Sequence, residues 1–131
     1  MNKFVLVLSM LALIAGVGCS KGFEATKQTG QYTVVVTMDK NPPIIGDNRV
    51  EIQVSDKSGK PVKDATVKVE YGMPAMPGMP AMDYSADAAF QEDTNRYIAT
   101  INPSMAGSWY ITVLITRAEK TEKAKFNVDV K

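Results

Sequence analysis

The chain has no histidine and a single cysteine, Cys19, among its 131 residues. Without imidazole there is no Ser-His-Asp or Cys-His arrangement, and the usual protein ligand of Cu(II), Ni(II) and Zn(II) is missing. A lone cysteine forms no internal disulfide, so the fold must be held by its apolar core. Charge of one sign is not in excess: 15 basic residues stand against 14 acidic ones. They are scattered singly, with no Arg-rich stripe and no aromatic residues interleaved with lysine, which argues against a nucleic-acid partner. There is no glycine-rich phosphate loop. Acidic pairs such as Glu92-Asp93 fall in polar turns with no apolar pocket to shift a pKa. These absences point away from an enzyme. A helical period of useful length is also lacking.

The N-terminus reads as a leader. Lys3 makes a short basic region, Phe4 to Val17 is an apolar run shorter than a typical membrane span, and Gly16-Val17-Gly18-Cys19 closes it with small residues. This resembles a lipobox, with Gly18 in the small position and Gly16 where leucine is usual. An ordinary cleaved signal would leave Cys19 as a free thiol without a partner. The better reading is a signal peptide over 1–18, cleavage before Cys19, and lipid attached to Cys19 through a thioether. The protein is then anchored in the cell envelope, on the outside of the cytoplasmic membrane. By resemblance to bacterial lipoproteins, Ser20 rather than aspartate implies outer-membrane sorting where there is an outer membrane. Cleavage removes Lys3 from the 15 basic residues and leaves them equal in number to the 14 acidic ones. Residues 19–30 show no period and are expected to be a lipidated tether whose ~10 residues span about 15–20 Å. Phe23 within it is free to pack on the domain or at the membrane interface.

From residue 31 to residue 131 the pattern is that of one β domain. Arg49-Val50-Glu51-Ile52-Gln53-Val54-Ser55 alternates strictly, with Val50, Ile52 and Val54 on one face. Tyr32 to Met38, Ala65 to Tyr71 and Ala124 to Val130 alternate too. Arg96 to Ile101 is a further strand, Trp109 to Thr116 is continuously apolar and reads as a central one, and Tyr84 to Phe90 alternates weakly, as an irregular edge strand would. About seven short strands separated by turn residues predict an all-β fold, an immunoglobulin-like antiparallel β-sandwich.

The least probable stretch is Met73-Pro74-Ala75-Met76-Pro77-Gly78-Met79-Pro80-Ala81-Met82, which holds half of the eight methionines. Its prolines remove backbone donors and fix φ, so it is a loop. In straight polyproline II, successive methionines would lie on one face about 9 Å apart. Pro77-Gly78 supplies a bend, because Met76-Pro77-Gly78-Met79 carries the signature of a type II turn. That brings Met76 and Met79 together and makes Met73 and Met82 the next facing pair, with Gly72 at the base to permit the entry angle. Thioether sulfur is neutral, soft and polarizable, and selects Cu(I), or Ag(I) as its mimic. The four methionines are equally a flexible plug over the end of the sandwich or an adaptable surface for a partner. Tyr71 and Tyr84 flank the loop, either against the sulfurs or as ordinary strand-end aromatics. Trp109, Met105 and Met38 read as core or turn residues, and Asp83 as a loop cap.

The order of these motifs carries a resemblance. Gly30-Gln31-Tyr32, Asn41-Pro42-Pro43 with Gly46 and Asn48, Gly59-Lys60-Pro61-Val62 with Asp64-Ala65, the Met-Pro loop, Arg96-Tyr97 and Gly107-Ser108-Trp109 resemble the YtkA-like domain family over essentially the whole mature chain. The resemblance implies a small envelope protein, often a lipoprotein, with an immunoglobulin-like fold and an association with copper handling, heavy-metal efflux or oxidase assembly. Carried onto this chain, the implied metal site is Met73, Met76, Met79 and Met82. Two readings stand. One is a domain that buffers Cu(I) or Ag(I) or delivers it to an efflux or oxidase-assembly partner. The other is a metal-free interaction domain whose loop docks on a membrane complex.

Overall fold

The computed structural model describes residues 22–131. The signal peptide expected over 1–18 and the expected lipidation site, Cys19, lie outside the described residues. Eight antiparallel strands follow in order: β1 (Phe23–Thr29), β2 (Tyr32–Met38), β3 (Asn48–Ser55), β4 (Thr66–Met73), β5 (Met82–Gln91), β6 (Arg96–Ile101), β7 (Gly107–Arg117) and β8 (Lys120–Val130). The expected all-β, sandwich-like fold is present, with one strand more than the seven read from the sequence.

The alternating segments form strands because each has one apolar face to bury. In β2 and β3 every second residue is buried, with Val34, Val36, Val50 and Ile52 facing the core, and β7 does the same with Trp109, Ile111, Val113 and Ile115. Those side chains meet Val67 and Val69 of β4 and Phe126 and Val128 of β8 in one cluster. The additional strand is β1, which falls inside the expected tether. Phe23–Thr29 pairs with β2 along its whole length, from Phe23 opposite Met38 to Thr29 opposite Tyr32. Only Phe23 and Ala25 pack against the core, so the polar remainder of the strand hid it in the sequence.

The strands lie in the order β1-β2-β3-β6-β5-β4-β7-β8. β5 is therefore interior and not the edge strand expected of Tyr84 to Phe90. Its first part, Met82–Ala88, pairs with β4, while Ala89, Phe90 and Gln91 pair with β6. A strand that changes partner midway makes a corner between two layers. The small side chains of Ser85, Ala86, Ala88 and Ala89 leave room for that bend. At the other margin β1 approaches β8, where Lys27 Nζ donates to the Lys125 carbonyl at 2.7 Å and Thr29 Oγ1 to the Lys123 carbonyl at 2.7 Å. Side chains span this seam where a backbone ladder would close it, so the sheet nearly forms a barrel. Both edges are thereby covered, which removes the usual template for edge-to-edge association.

Tyr97 ties the long β3–β4 connection to the core. Its buried hydroxyl donates to the Val62 carbonyl at 2.9 Å and accepts from the Ala65 amide at 3.3 Å. Burial raises this hydroxyl above the ordinary tyrosine value. Since an unfolded tyrosine ionises near pH 10, the contribution of Tyr97 is complete below that pH and is lost as pH climbs through the higher folded value. Tyr97→Phe should cost about 1 kcal/mol at pH 7 and give a shallower fall of stability above pH 10 than the parent shows. Urea midpoints measured across that pH range check both effects.

Candidate functional site

The chain reverses between β4 and β5 at Met76-Pro77-Gly78-Met79. The Met76 amide donates to the Met79 carbonyl at 3.0 Å and the Met79 amide to the Met76 carbonyl at 2.9 Å, closing a two-residue turn. Gly78 has φ of 80° with proline before it, which matches a type II turn. Below the turn, the ladder pairs Met73 with Met82 and Tyr71 with Tyr84. Both facing pairs expected from the bend at Pro77-Gly78 are therefore present in the backbone register, Met76 with Met79 and Met73 with Met82.

The two pairs differ in depth. Met73 is only 3% exposed and belongs to the core, whereas Met76 at the tip is 42% exposed. Met79 and Met82 are half-buried. The reason is a mismatch of periods: a strand alternates its side chains every second residue, so residues three apart, as Met73 and Met76 are, leave an extended chain on opposite faces. β4 runs on through Gly72 to Met73 and carries that sulfur inward. Met82 Sδ sits between two hydroxyls, with Ser104 Oγ at 3.8 Å and Tyr84 Oη at 4.0 Å.

Beneath the hairpin lies an aromatic group. The Tyr71 and Tyr84 rings stack with centroids 5.5 Å apart, and Trp109 stands 6.2 Å from Tyr71 and 6.3 Å from Tyr84. Trp109 is in the core as expected, its Nε1 donating to the Met105 carbonyl at 2.9 Å. The Tyr71 hydroxyl accepts from the Asn102 amide at 3.2 Å and joins the β6–β7 loop to the same group. The flanking tyrosines thus stack mainly on each other, and only Tyr84 reaches a methionine sulfur.

Gly72 and Asp83 have roles other than those read from the sequence. Gly72 lies within β4, paired with Asp83 on one side and Tyr110 of β7 on the other. A Cβ at Gly72 would collide with the Met82 carbonyl oxygen and stand 2.7 Å from the Tyr110 hydroxyl. What the position requires is therefore empty space and not a permissive entry angle. Tyr110 reaches across the gap, its hydroxyl donating to Asp83 Oδ1, and that bond to a carboxylate holds the hydroxyl above the ordinary tyrosine value. Asp83 is a cross-strand acceptor and not a loop cap. Tyr110 and Ser104 are the neighbours of the hairpin that the sequence reading missed. A glycine interrupting an alternating strand was the available signal of close approach.

The arrangement is a methionine hairpin seated on an aromatic base at one end of a sandwich-like β barrel. Among the described residues no group of three His, Cys, Asp or Glu side chains could hold a metal ion, so the donors gathered at this end are thioethers. The fold is that of a small all-β domain with its β2–β3, β4–β5 and β6–β7 connections gathered at the hairpin end. The chain belongs to the YtkA-like family, whose model matches residues 24–114, more than half of the chain and including the entire hairpin. No curated protein and no solved structure matches it.

The two hairpin glycines should respond differently to alanine. Gly78→Ala meets nothing within 4 Å and suffers only the left-handed backbone, a cost of about 1 kcal/mol. Gly72→Ala strikes a backbone carbonyl that cannot step aside, and overpacking of that kind costs about 3 kcal/mol. Denaturant midpoints of the two variants give the comparison.

Proposed function

We propose that this is an envelope lipoprotein, anchored through Cys19 on the outside of the cytoplasmic membrane, that binds Cu(I), or Ag(I) in its place, for buffering or for delivery to an efflux or oxidase-assembly partner. The observation that carries the reading is the closed turn that faces Met76 toward Met79 at an exposed tip. Two soft neutral donors on a short closed turn suit a soft monovalent cation. Met82 is the third ligand candidate, half-buried beside the tip, while Met73 supports the hairpin from the core.

A second reading rests on the same exposure of Met76. The tip is then an adaptable apolar surface that docks on a membrane complex without metal. The two readings part on one pair of substitutions.

An anaerobic Cu(I) titration of the mature chain against a chromogenic competitor should give tight one-to-one binding. Met76→Leu with Met79→Leu conserves volume at one exposed and one half-buried position of the tip, so stability should move by less than about 1 kcal/mol. Affinity should fall about a hundredfold or more, each tenfold step being about 1.4 kcal/mol. Unchanged affinity in the double variant would sink the metal reading. Retained capture of membrane partners by that variant, with capture lost on truncating residues 74–81, would favour docking.

A further inference from the structure

Both ends of the barrel carry exposed charge, Lys57, Lys60, Glu92, Asp93 and Glu119 at one and Asp39, Asp47 and Lys131 at the other, and they differ in their apolar side chains. The other end gathers the β2–β3 loop, the β4–β5 hairpin, the β6–β7 loop and the end of β8, since Met38 pairs with Val50, Asn48 with Ile101, Met73 with Met82 and Gly107 with Val130. Among the described residues, the exposed large hydrophobic side chains are Ile44 at 39%, Ile45 at 50%, Met76 at 42% and Tyr84 at 42%. The first three lie in these loops, and Tyr84 is two residues past Met82 at the foot of the hairpin.

The isoleucines are held out by construction. Asn48 is the one buried polar side chain among the described residues. Its Oδ1 accepts from the Ile44 amide at 2.9 Å, and its Nδ2 donates to the carbonyls of Ile44 at 2.7 Å and Gly46 at 3.0 Å. The Ile45 amide donates to the Lys131 carbonyl at 3.2 Å, and the Gly46 amide to the Pro103 carbonyl at 3.0 Å. With its backbone pinned at successive residues, the loop cannot fold Ile44 and Ile45 back onto the core. A buried, fully hydrogen-bonded polar residue thus fixes a loop that displays two apolar side chains.

The chain enters at this same end. β1 begins at Phe23, opposite Met38, and Cys19 stands four residues earlier. Four residues extend at most about 14 Å, so a lipid on Cys19 keeps this end against its bilayer. We propose that this end of the barrel seats on the lipid surface, with Ile44, Ile45 and Met76 entering the interfacial region. The inference rests on the acylation of Cys19 in the preceding reading and is independent of metal. Two isoleucines on one loop and a methionine on another do not make one large complementary patch, which suits a fluid surface better than a shaped partner. A short anchor also supplies a high effective concentration, so modest apolar contacts suffice to orient the domain.

The test uses the full chain produced in a host that acylates lipoproteins, reconstituted in phosphatidylethanolamine–phosphatidylglycerol vesicles. Acylation consumes the native thiol, so a fluorophore can be placed on Ile45→Cys, Ala81→Cys or, at the opposite end, Lys57→Cys. Headgroup-level spin-labelled lipids should quench Ile45→Cys and Ala81→Cys at least threefold more strongly than Lys57→Cys. Adding Ile44→Ser and Ile45→Ser to the Ala81 probe should at least halve its quenching. Equal quenching at both ends of an acylated protein, verified by intact mass, overturns the seating alone. A mass without the lipid overturns the acylation and the seating with it. Quenching between labelled copies that rises with surface density, without quenching by lipid, overturns the seating in favour of an interface between two chains.

Discussion

A β-ladder takes residues in twos, and the methionine segment is written in threes. The conflict between these periods decides the form of the methionine end. Had the repeat stayed in polyproline II, its four sulfurs would have lined one face of a rod. Because strand pairing holds as far as Met73 and Met82, the lower sulfurs are drawn into or beside the core. The upper pair is left on a two-residue turn beyond the last regular rung. The segment therefore joins structure at its base to display at its tip.

The base is stiff for reasons that lie outside the repeat. Tyr71, Tyr84 and Trp109 form an aromatic floor that joins β4, β5 and β7, and Tyr110 crosses the space over Gly72 to reach Asp83. Lys125 adds its ammonium 5.0 Å from the Tyr110 ring centroid. Two loops from elsewhere in the chain are joined to the same end, one through Asn48 and one through the Tyr71 hydroxyl. Aromatic contacts supply much apolar area with fixed geometry. The hydrogen bonds set which loop conformations accompany them. This end of the barrel is one connected unit in consequence.

Much of this was legible in the residues. Strict alternation in β3 and the run from Trp109 to Thr116 reflect one-sided or deep burial, and such patterns survive any local propensity. The turn at Pro77-Gly78 was legible because proline and glycine each constrain a particular φ, and the two constraints occur together in one turn type. Less was visible where a strand has little to bury. β1 has Phe23 and Ala25 and then only polar residues, so it read as a tether. β5 has alanines and aspartates, so it read as an edge, although its small side chains are what let it bend between two neighbours. The depth of Met73 was hidden because it depends on Gly72 continuing β4, and a glycine beside a proline-rich loop reads equally as the start of that loop.

The prolines then set how firmly the tip is held. Pro74, opposite Ala81 in this register, has no amide hydrogen, so the rung between Met73–Met82 and Met76–Met79 lacks a donor, and the tip hangs on two backbone hydrogen bonds. Opening it exposes little core, because Met73 lies below the break, Met76 is already 42% exposed and Met79 is only half-buried. Its local opening free energy must therefore be small against that of the barrel. The same prolines limit the gain in freedom, since each keeps its φ near −65° whether the tip is closed or open. An end built this way lets two or three thioethers adjust to a soft ion or an uneven surface by moving a few atoms, while the residues that fix its position stay where the sheet holds them.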